Sequence, residues 1–125
     1  RYAAIFAALR ERRPNIAIAY HSCGNCEEIL GDMVEIGLDV LNPIQPLSMD
    51  PSYIKRRYGK RLTLFGAIDV QKLLPFGAPE EIRLAVRDAK SALGEGGGYI
   101  LSPAHHIQSD TSLDNIRAFY EEALR

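Results

Sequence analysis

Ile16-Ala17-Ile18-Ala19-Tyr20-His21-Ser22-Cys23-Gly24-Asn25-Cys26-Glu27-Glu28-Ile29-Leu30-Gly31-Asp32-Met33-Val34 holds both parts of the pattern that decides the fold. Its first five residues are apolar on both faces, which suits a short strand covered on two sides, as in a parallel sheet. A polar loop from His21 to Asn25 follows. Ile29, Leu30, Met33 and Val34 then make the stripe of an amphipathic helix, with Gly37 placed as its C-terminal cap. Upstream, Tyr2, Ile5, Phe6 and Leu9 mark a helix that ends at Arg13-Pro14. Downstream the same unit repeats. Asp39 to Leu41 is a strand, Asn42 to Pro46 an extended loop, and Asp50-Pro51 the cap and first turn of a helix that stops at Gly59. Leu62 to Phe65 is the third strand and Gly66 to Gly77 a long loop. Pro79-Glu80-Glu81 opens a helix carrying Ile82, Ala85, Val86, Ala89 and Leu93, closed by Gly94 to Gly98. Tyr99 to Leu101 is the fourth strand, Ser102 to Ser112 a polar loop, and Ile116, Phe119, Tyr120 and Ala123 belong to a last helix.

Composition narrows the class. The chain has 125 residues, 46% hydrophobic and 25% charged, which excludes disorder and collagen-like repeats. With 15 Lys+Arg against 16 Asp+Glu the net charge is -1, so no global excess points to nucleic acid or an anionic membrane. Two cysteines make no disulfide framework, there is no long apolar stretch, and Arg1 to Arg13 form no signal peptide, so a cytoplasmic setting is expected. The chain opens at Arg1 directly into a helical pattern, which suggests a piece cut from a longer protein.

Strands that alternate with helices imply right-handed crossovers and a parallel sheet. Two architectures fit: a small doubly wound sheet, or part of a (β/α)8 barrel. In both, chemistry lies in the loops that follow the strands. There the sequence places His21 and Cys23, then Asn42 and Gln45, then Asp69 and Gln71, and finally His105, His106 and Gln108. The opposite loops, such as Lys60-Arg61, hold the charges of a solvated rim.

If the first strand runs on, a period of two puts His21 and Cys23 on one face, and imidazole with thiolate is a donor pair suited to zinc. A catalytic zinc site needs a third protein ligand, for which Cys26 and His105 both qualify; His105 lies at the same level of another strand. Cys23-Gly24-Asn25-Cys26 is also a C-x-x-C pattern with redox use, or a pair of plain buried cysteines. Asp69 is the one carboxylate in a functional loop and is a candidate general acid or base, or a residue that caps its loop. Gly94 to Gly98 lies between a helix and a strand, the wrong order for a phosphate cradle. Lys55-Arg56-Arg57 reads as a solvated helix end, and Glu27-Glu28 with Glu80-Glu81 as partners of helix dipoles.

His21-Ser22-Cys23-Gly24, Gly37 to Pro46, Gly66-Ala67-Ile68-Asp69-Val70-Gln71, Gly96 to Leu101, His105 and Asp114-Asn115-Ile116 together resemble the C-terminal half of the uroporphyrinogen decarboxylase superfamily. The resemblance covers nearly the whole chain. It implies that residues 1–125 are a single partial domain, the C-terminal half of a (β/α)8 TIM barrel with four parallel strands alternating with helices. Half is also what the length suggests, since such barrels typically take about 250 residues. The His-x-Cys resembles the superfamily's zinc-dependent methyltransferases, which move methyl groups between corrinoid proteins and thiols. That branch implies Zn²⁺ on His21 and Cys23, with His105 where the branch has a Cys, and a corrinoid or a corrinoid protein as methyl donor or partner. The decarboxylase branch of haem biosynthesis implies instead a metal-free decarboxylation with His105 near the substrate. The expected site is then Asp69 and His105 as catalytic residues, Asn42, Gln45, Gln71, His106 and Gln108 around a small-molecule substrate, and His21, Cys23 and His105 on the metal. Whether Cys26 or His106 joins them stays open. A half-barrel lacks its N-terminal half, so inactivity of the piece alone and self-association through open strand edges are further expectations.

Overall fold

In the computed structural model, which describes residues 1–125, helix and strand alternate as the apolar pattern predicts. The order is α1 (Tyr2–Arg12), β1 (Ala19–His21), α2 (Glu27–Glu35), β2 (Val40–Ile44), α3 (Pro51–Tyr58), β3 (Thr63–Ile68), α4 (Leu73–Phe76), α5 (Pro79–Gly94), β4 (Tyr99–Pro103) and α6 (Leu113–Ala123). The strands form one parallel sheet in sequence order, β1-β2-β3-β4. This is the fold expected from the sequence, four strand-helix units of a (β/α)8 barrel.

The helix ends follow local chemistry. At the end of α2, Gly37 adopts φ +99°, and the Leu38 and Gly37 N–H groups donate to the carbonyls of Met33 and Val34, which closes the helix. The Asp50 carboxylate accepts from the N–H groups of Ser52 and Tyr53 at 2.9 and 3.2 Å, with Pro51 in the first turn of α3. At α6 the Ser112 hydroxyl accepts from the Asn115 N–H at 3.2 Å.

Helices cover one face of the sheet. Leu41 and Leu64 point into that layer and are fully buried in one cluster with Leu30, Met33 and Ile54. A second cluster joins Ile68 and Leu74 to Ile82 and Val86 of α5 and to Ala118 and Phe119 of α6. Each fully buried aliphatic side chain contributes about 1.5–3 kcal/mol relative to exposure. Lys55 and Arg61 of the basic cluster bond the Gly97 carbonyl and Glu35, respectively, on the rim opposite the expected site.

Four boundaries differ from expectation. The strand expected over Ile16 to Tyr20 is paired only over Ala19–His21, because its first residues run ahead of the start of β2. β2 runs on to Ile44, through a register shift between Leu41 and Ile44 that accommodates Pro43, which has no N–H to give a ladder. β3 continues through Gly66 and Ala67 to Ile68, and β4 to Pro103. Gly66 has φ +124°, and a Cβ there would stand 3.1 Å from the backbone N and O of Ile44, so only glycine lets the two strands meet there. The loop expected from Gly66 to Gly77 also holds α4.

Candidate metal centre

His21 is the last residue of β1, Cys23 lies two residues further on, and His105 lies two residues beyond the end of β4. β1 and β4 are the opposite edges of the sheet. Three strand spacings of about 4.8 Å would set them about 14 Å apart in a flat sheet. Yet the His21 and His105 ring centroids are 6.0 Å apart, and one donor atom from each of His21, Cys23 and His105 falls within 4.8 Å of the others. Curvature of the sheet about its open face produces this convergence.

Each candidate ligand is held by a neighbour. His21 lies in register with Asn42 of β2, and its Nδ1 is 2.7 Å from Asn42 Oδ1. Asn42 Oδ1 can only accept, so the proton sits on Nδ1 and the lone pair on Nε2. That Nε2 is 3.7 Å from Cys23 Sγ. Zinc bonds of about 2.0 Å to nitrogen and 2.3 Å to sulfur imply a tetrahedral nitrogen-sulfur edge of roughly 3.5 Å, so this pair fits the ion. Behind Cys23, the Gly24 N–H donates to Gln45 Oε1, tying the turn to the loop after β2. His105 is carried by a loop anchored at Ala104, which is 3% exposed and whose N–H donates to the Ile68 carbonyl at 2.7 Å.

Of the two candidate third ligands, the structure brings His105 to the cluster and turns Cys26 away. Cys26 is buried, its thiol 3.9 Å from Met49 Sδ, and burial pushes its pKa up. Cys23 is exposed. Iodoacetamide is therefore expected to alkylate Cys23 in the native, metal-free protein and to reach Cys26 only in denaturant; equal native labelling by mass spectrometry would contradict this.

His21 and His105 border a cavity of about 540 Å³, lined also by Asn42, Phe65, His106 and Tyr120 among others, while Cys23 lies outside its wall. His106 stands edge-on to His105 with centroids 4.6 Å apart. Of the expected substrate contacts, Asn42 and His106 lie on this wall, whereas Gln45, Gln71 and Gln108 do not. Gln45 is the brace of Gly24, Gln71 donates its backbone N–H to Asp69, and Gln108 Nε2 lies 3.4 Å from the His106 carbonyl. Asp69 lies outside the wall too, and its carboxylate accepts from the N–H groups of Gln71, Lys72 and Leu73, the arrangement of a cap on α4. These bonds are those the capping alternative expects. Phe65 and Tyr120 were not expected at the site. Phe65 shares the open face with His21 by strand alternation, a signal present in the sequence, while Tyr120 sits in a helical stripe that reads as core yet is 53% exposed.

Asn42→Ala is expected to weaken metal binding about 10–100-fold while leaving the far-UV circular dichroism unchanged, because it removes the bond that orients His21. Unchanged affinity in a metal titration would show that Asn42 does not orient the ligand.

The family model described as uroporphyrinogen decarboxylase (URO-D) matches residues 1–125. A uroporphyrinogen decarboxylase from Crocosphaera subtropica is 27% identical over 115 residues, 92% of this chain and 31% of that protein. The methylcobamide:CoM methyltransferase MtaA of Methanosarcina barkeri is 34% identical over 104 residues, 83% of this chain and 29% of that protein. Among solved structures, a methyltransferase from Methanosarcina mazei superposes with a TM-score of 0.71 at 26% identity, covering 95% of this chain and 34% of the other. The chain thus spans about a third of the length of the relatives it matches. No helix is long and apolar enough to cross a membrane.

Proposed function

The chain belongs to the uroporphyrinogen decarboxylase family, whose members here include a decarboxylase and a methyltransferase, and from that premise we propose that it serves a zinc-dependent methyl transfer to a thiol. The observation that carries this reading is the convergence of His21, Cys23 and His105 donor atoms within 4.8 Å. Two imidazoles and one thiolate match the three protein ligands of a catalytic zinc site, with a fourth position left for substrate. Zinc held there supplies a Lewis acid that lowers the pKa of an incoming thiol and makes thiolate available at neutral pH.

The chain's own residues set the geometry. Asn42 fixes the His21 tautomer, Gln45 holds the turn that presents Cys23, and the Ala104 anchor presents His105. The cavity beside them receives the reactants. In the transfer, a sulfur lone pair of the acceptor forms the new S–C bond. The donor's bond to the methyl carbon breaks with both electrons staying on the donor, and the thiol proton leaves to solvent. A methylcorrinoid, free or carried by a protein, is the donor class that the methylcobamide relative supports.

Decarboxylation is the competing reaction. Its substrate presents several carboxylates, which call for basic side chains, and the cavity wall built by this chain contains no Lys or Arg. The test is a pair of assays on the zinc-loaded protein, alone and together with the remaining part of a family barrel: loss of the methylcobalamin spectrum with a small thiol, and carbon dioxide release from uroporphyrinogen. Thiol-dependent loss of the methylcobalamin spectrum supports the proposal. Carbon dioxide release without methyl transfer overturns it in favour of the decarboxylase, and inactivity in every combination overturns it in favour of a protein without catalytic function.

A further inference from the structure

Phe65 lies at the bottom of the cavity bordered by His21 and His105. Its depth follows from strand register. β3 and β4 pair with Phe65 opposite Ile100, three residues before the end of β4 at Pro103 and five before His105. At about 3.3 Å per residue, Phe65 is roughly 10 Å down the strand from the rim that carries His105. On the side of β2 the register shift has a definite form. Between the pairs Leu41 with Leu64 and Ile44 with Gly66, β2 has two residues, Asn42 and Pro43, where β3 has Phe65 alone. A two-against-one bulge of this kind re-aims side chains, and here both Asn42 and Phe65 line the cavity.

The backbone behind Phe65 is fixed. The next two residues have positive φ, Gly66 at +124° and Ala67 at +75°, the second a conformation uncommon for alanine that persists only where its surroundings hold it. Ala67 is buried, and the Tyr99 hydroxyl donates to the Gly66 carbonyl at 3.0 Å. The lower wall beside the ring is apolar in effect: Pro103 and Ala104 line it, and the Ser102 hydroxyl donates to the Pro103 carbonyl at 2.9 Å. A large ring on a held backbone makes a firm floor.

We propose that Phe65 sets the length of the acceptor, an alkyl thiol whose sulfur lies at the histidine end of the cavity and whose apolar body runs down to the ring. This rests on the methyl-transfer reading. A methylcorrinoid is too large for a cavity of about 540 Å³ and must approach from the rim, so the space between the histidines and Phe65 is left to the acceptor. Apolar atoms of the acceptor gain there by leaving water for contact with the Phe65 ring, until its length brings it to the floor. β2, β3 and β4 fix this wall whichever residues complete the far side of the cavity.

Equilibrium binding of straight-chain thiols, from ethanethiol to octanethiol, to the cobalt-loaded protein tests it, read from the added thiolate-to-cobalt absorption. Each methylene that becomes buried is expected to tighten binding about fourfold, up to the length at which the chain meets the ring, and further methylenes to add nothing. Phe65→Ala is expected to move that limit outward by about two methylenes, tightening the longer thiols about 10-fold while ethanethiol affinity and cobalt content stay unchanged. Phe65→Trp is expected to move the limit the other way, a reversal that a merely structural role would not produce. Circular dichroism checks the fold, and Phe65→Leu is expected to shift the limit in the same direction as alanine should the alanine variant unfold. A limit at the same length in every protein overturns the assignment of Phe65. Cobalt that binds yet takes up no thiol in any of them overturns the methyl-transfer reading, and this proposal with it.

Discussion

Cys23→Ala and His105→Ala are each expected to reduce bound zinc from about one ion per chain to background, with methyl transfer lost alongside it. Structural zinc sites bind with about 10–16 kcal/mol over four ligands, or roughly 2.5–4 kcal/mol per ligand, so one deletion corresponds to about a 10²–10³-fold loss of affinity. The folding cost is small, since both side chains are exposed. Cys26→Ser and His106→Ala are the matched controls, because neither residue supplies a donor atom to the cluster. Cobalt substitution gives a direct readout, as the thiolate-to-cobalt absorption depends on Cys23 alone. His105→Cys exchanges one zinc ligand for another and is expected to restore metal content. Full zinc occupancy in both alanine variants would remove the basis of the functional proposal.

Asp69→Ala is expected to lose about 2–4 kcal/mol of stability and to lower Tm by about 10 °C. The side chain is 9% exposed. Its Oδ2 accepts from Lys72 and Leu73 N–H at 2.8 and 2.9 Å, and its Oδ1 from Gln71 N–H at 3.1 Å. Alanine leaves those donors unpaired and frees the start of α4, whose Leu74 is fully buried against α5 and whose carbonyl accepts from Asn115 Nδ2 at 2.8 Å. Against a typical total of 5–15 kcal/mol the loss is large. Asp69→Asn keeps one acceptor oxygen and is expected to fall between the two in thermal melts. If Asp69 instead moves a proton in the reaction, the Asn variant would keep its Tm and lose activity.

Why Asp69 could be read two ways in the sequence is physical. An Asp after a strand has the same spacing whether it faces substrate or curls onto the next three N–H groups, and only the backbone path decides. α4 was invisible for a related reason: four residues interrupted by Pro75 show no helical period, and their stability comes from Leu74 and the Asn115 clamp, contacts made across the chain. The long, periodic elements were legible because burial on one face dictates their sequence, as with Ile82, Val86 and Leu93 on α5. His21 and Cys23 were legible as a pair because strand period alone places them together. That His105 joins them depends on the curvature of the whole sheet, which no local pattern records. Gln45 and Asn42 look like substrate contacts in sequence because polar residues in functional loops suit either role, and their partners, Gly24 and His21, lie on another strand-helix unit.

The meeting of positions 21 and 105 across the outer strands also has a mechanical side. An ion gripped by both would act as a hoop on the sheet, fixing its radius and fastening its first strand to its last. Zinc is then expected to raise Tm, by an amount that corresponds to about 4 kcal/mol at a free concentration 1,000 times Kd, and a chelator to reverse it. Hydrogen exchange would slow in β1 and β4 together, although the two strands share no hydrogen bond.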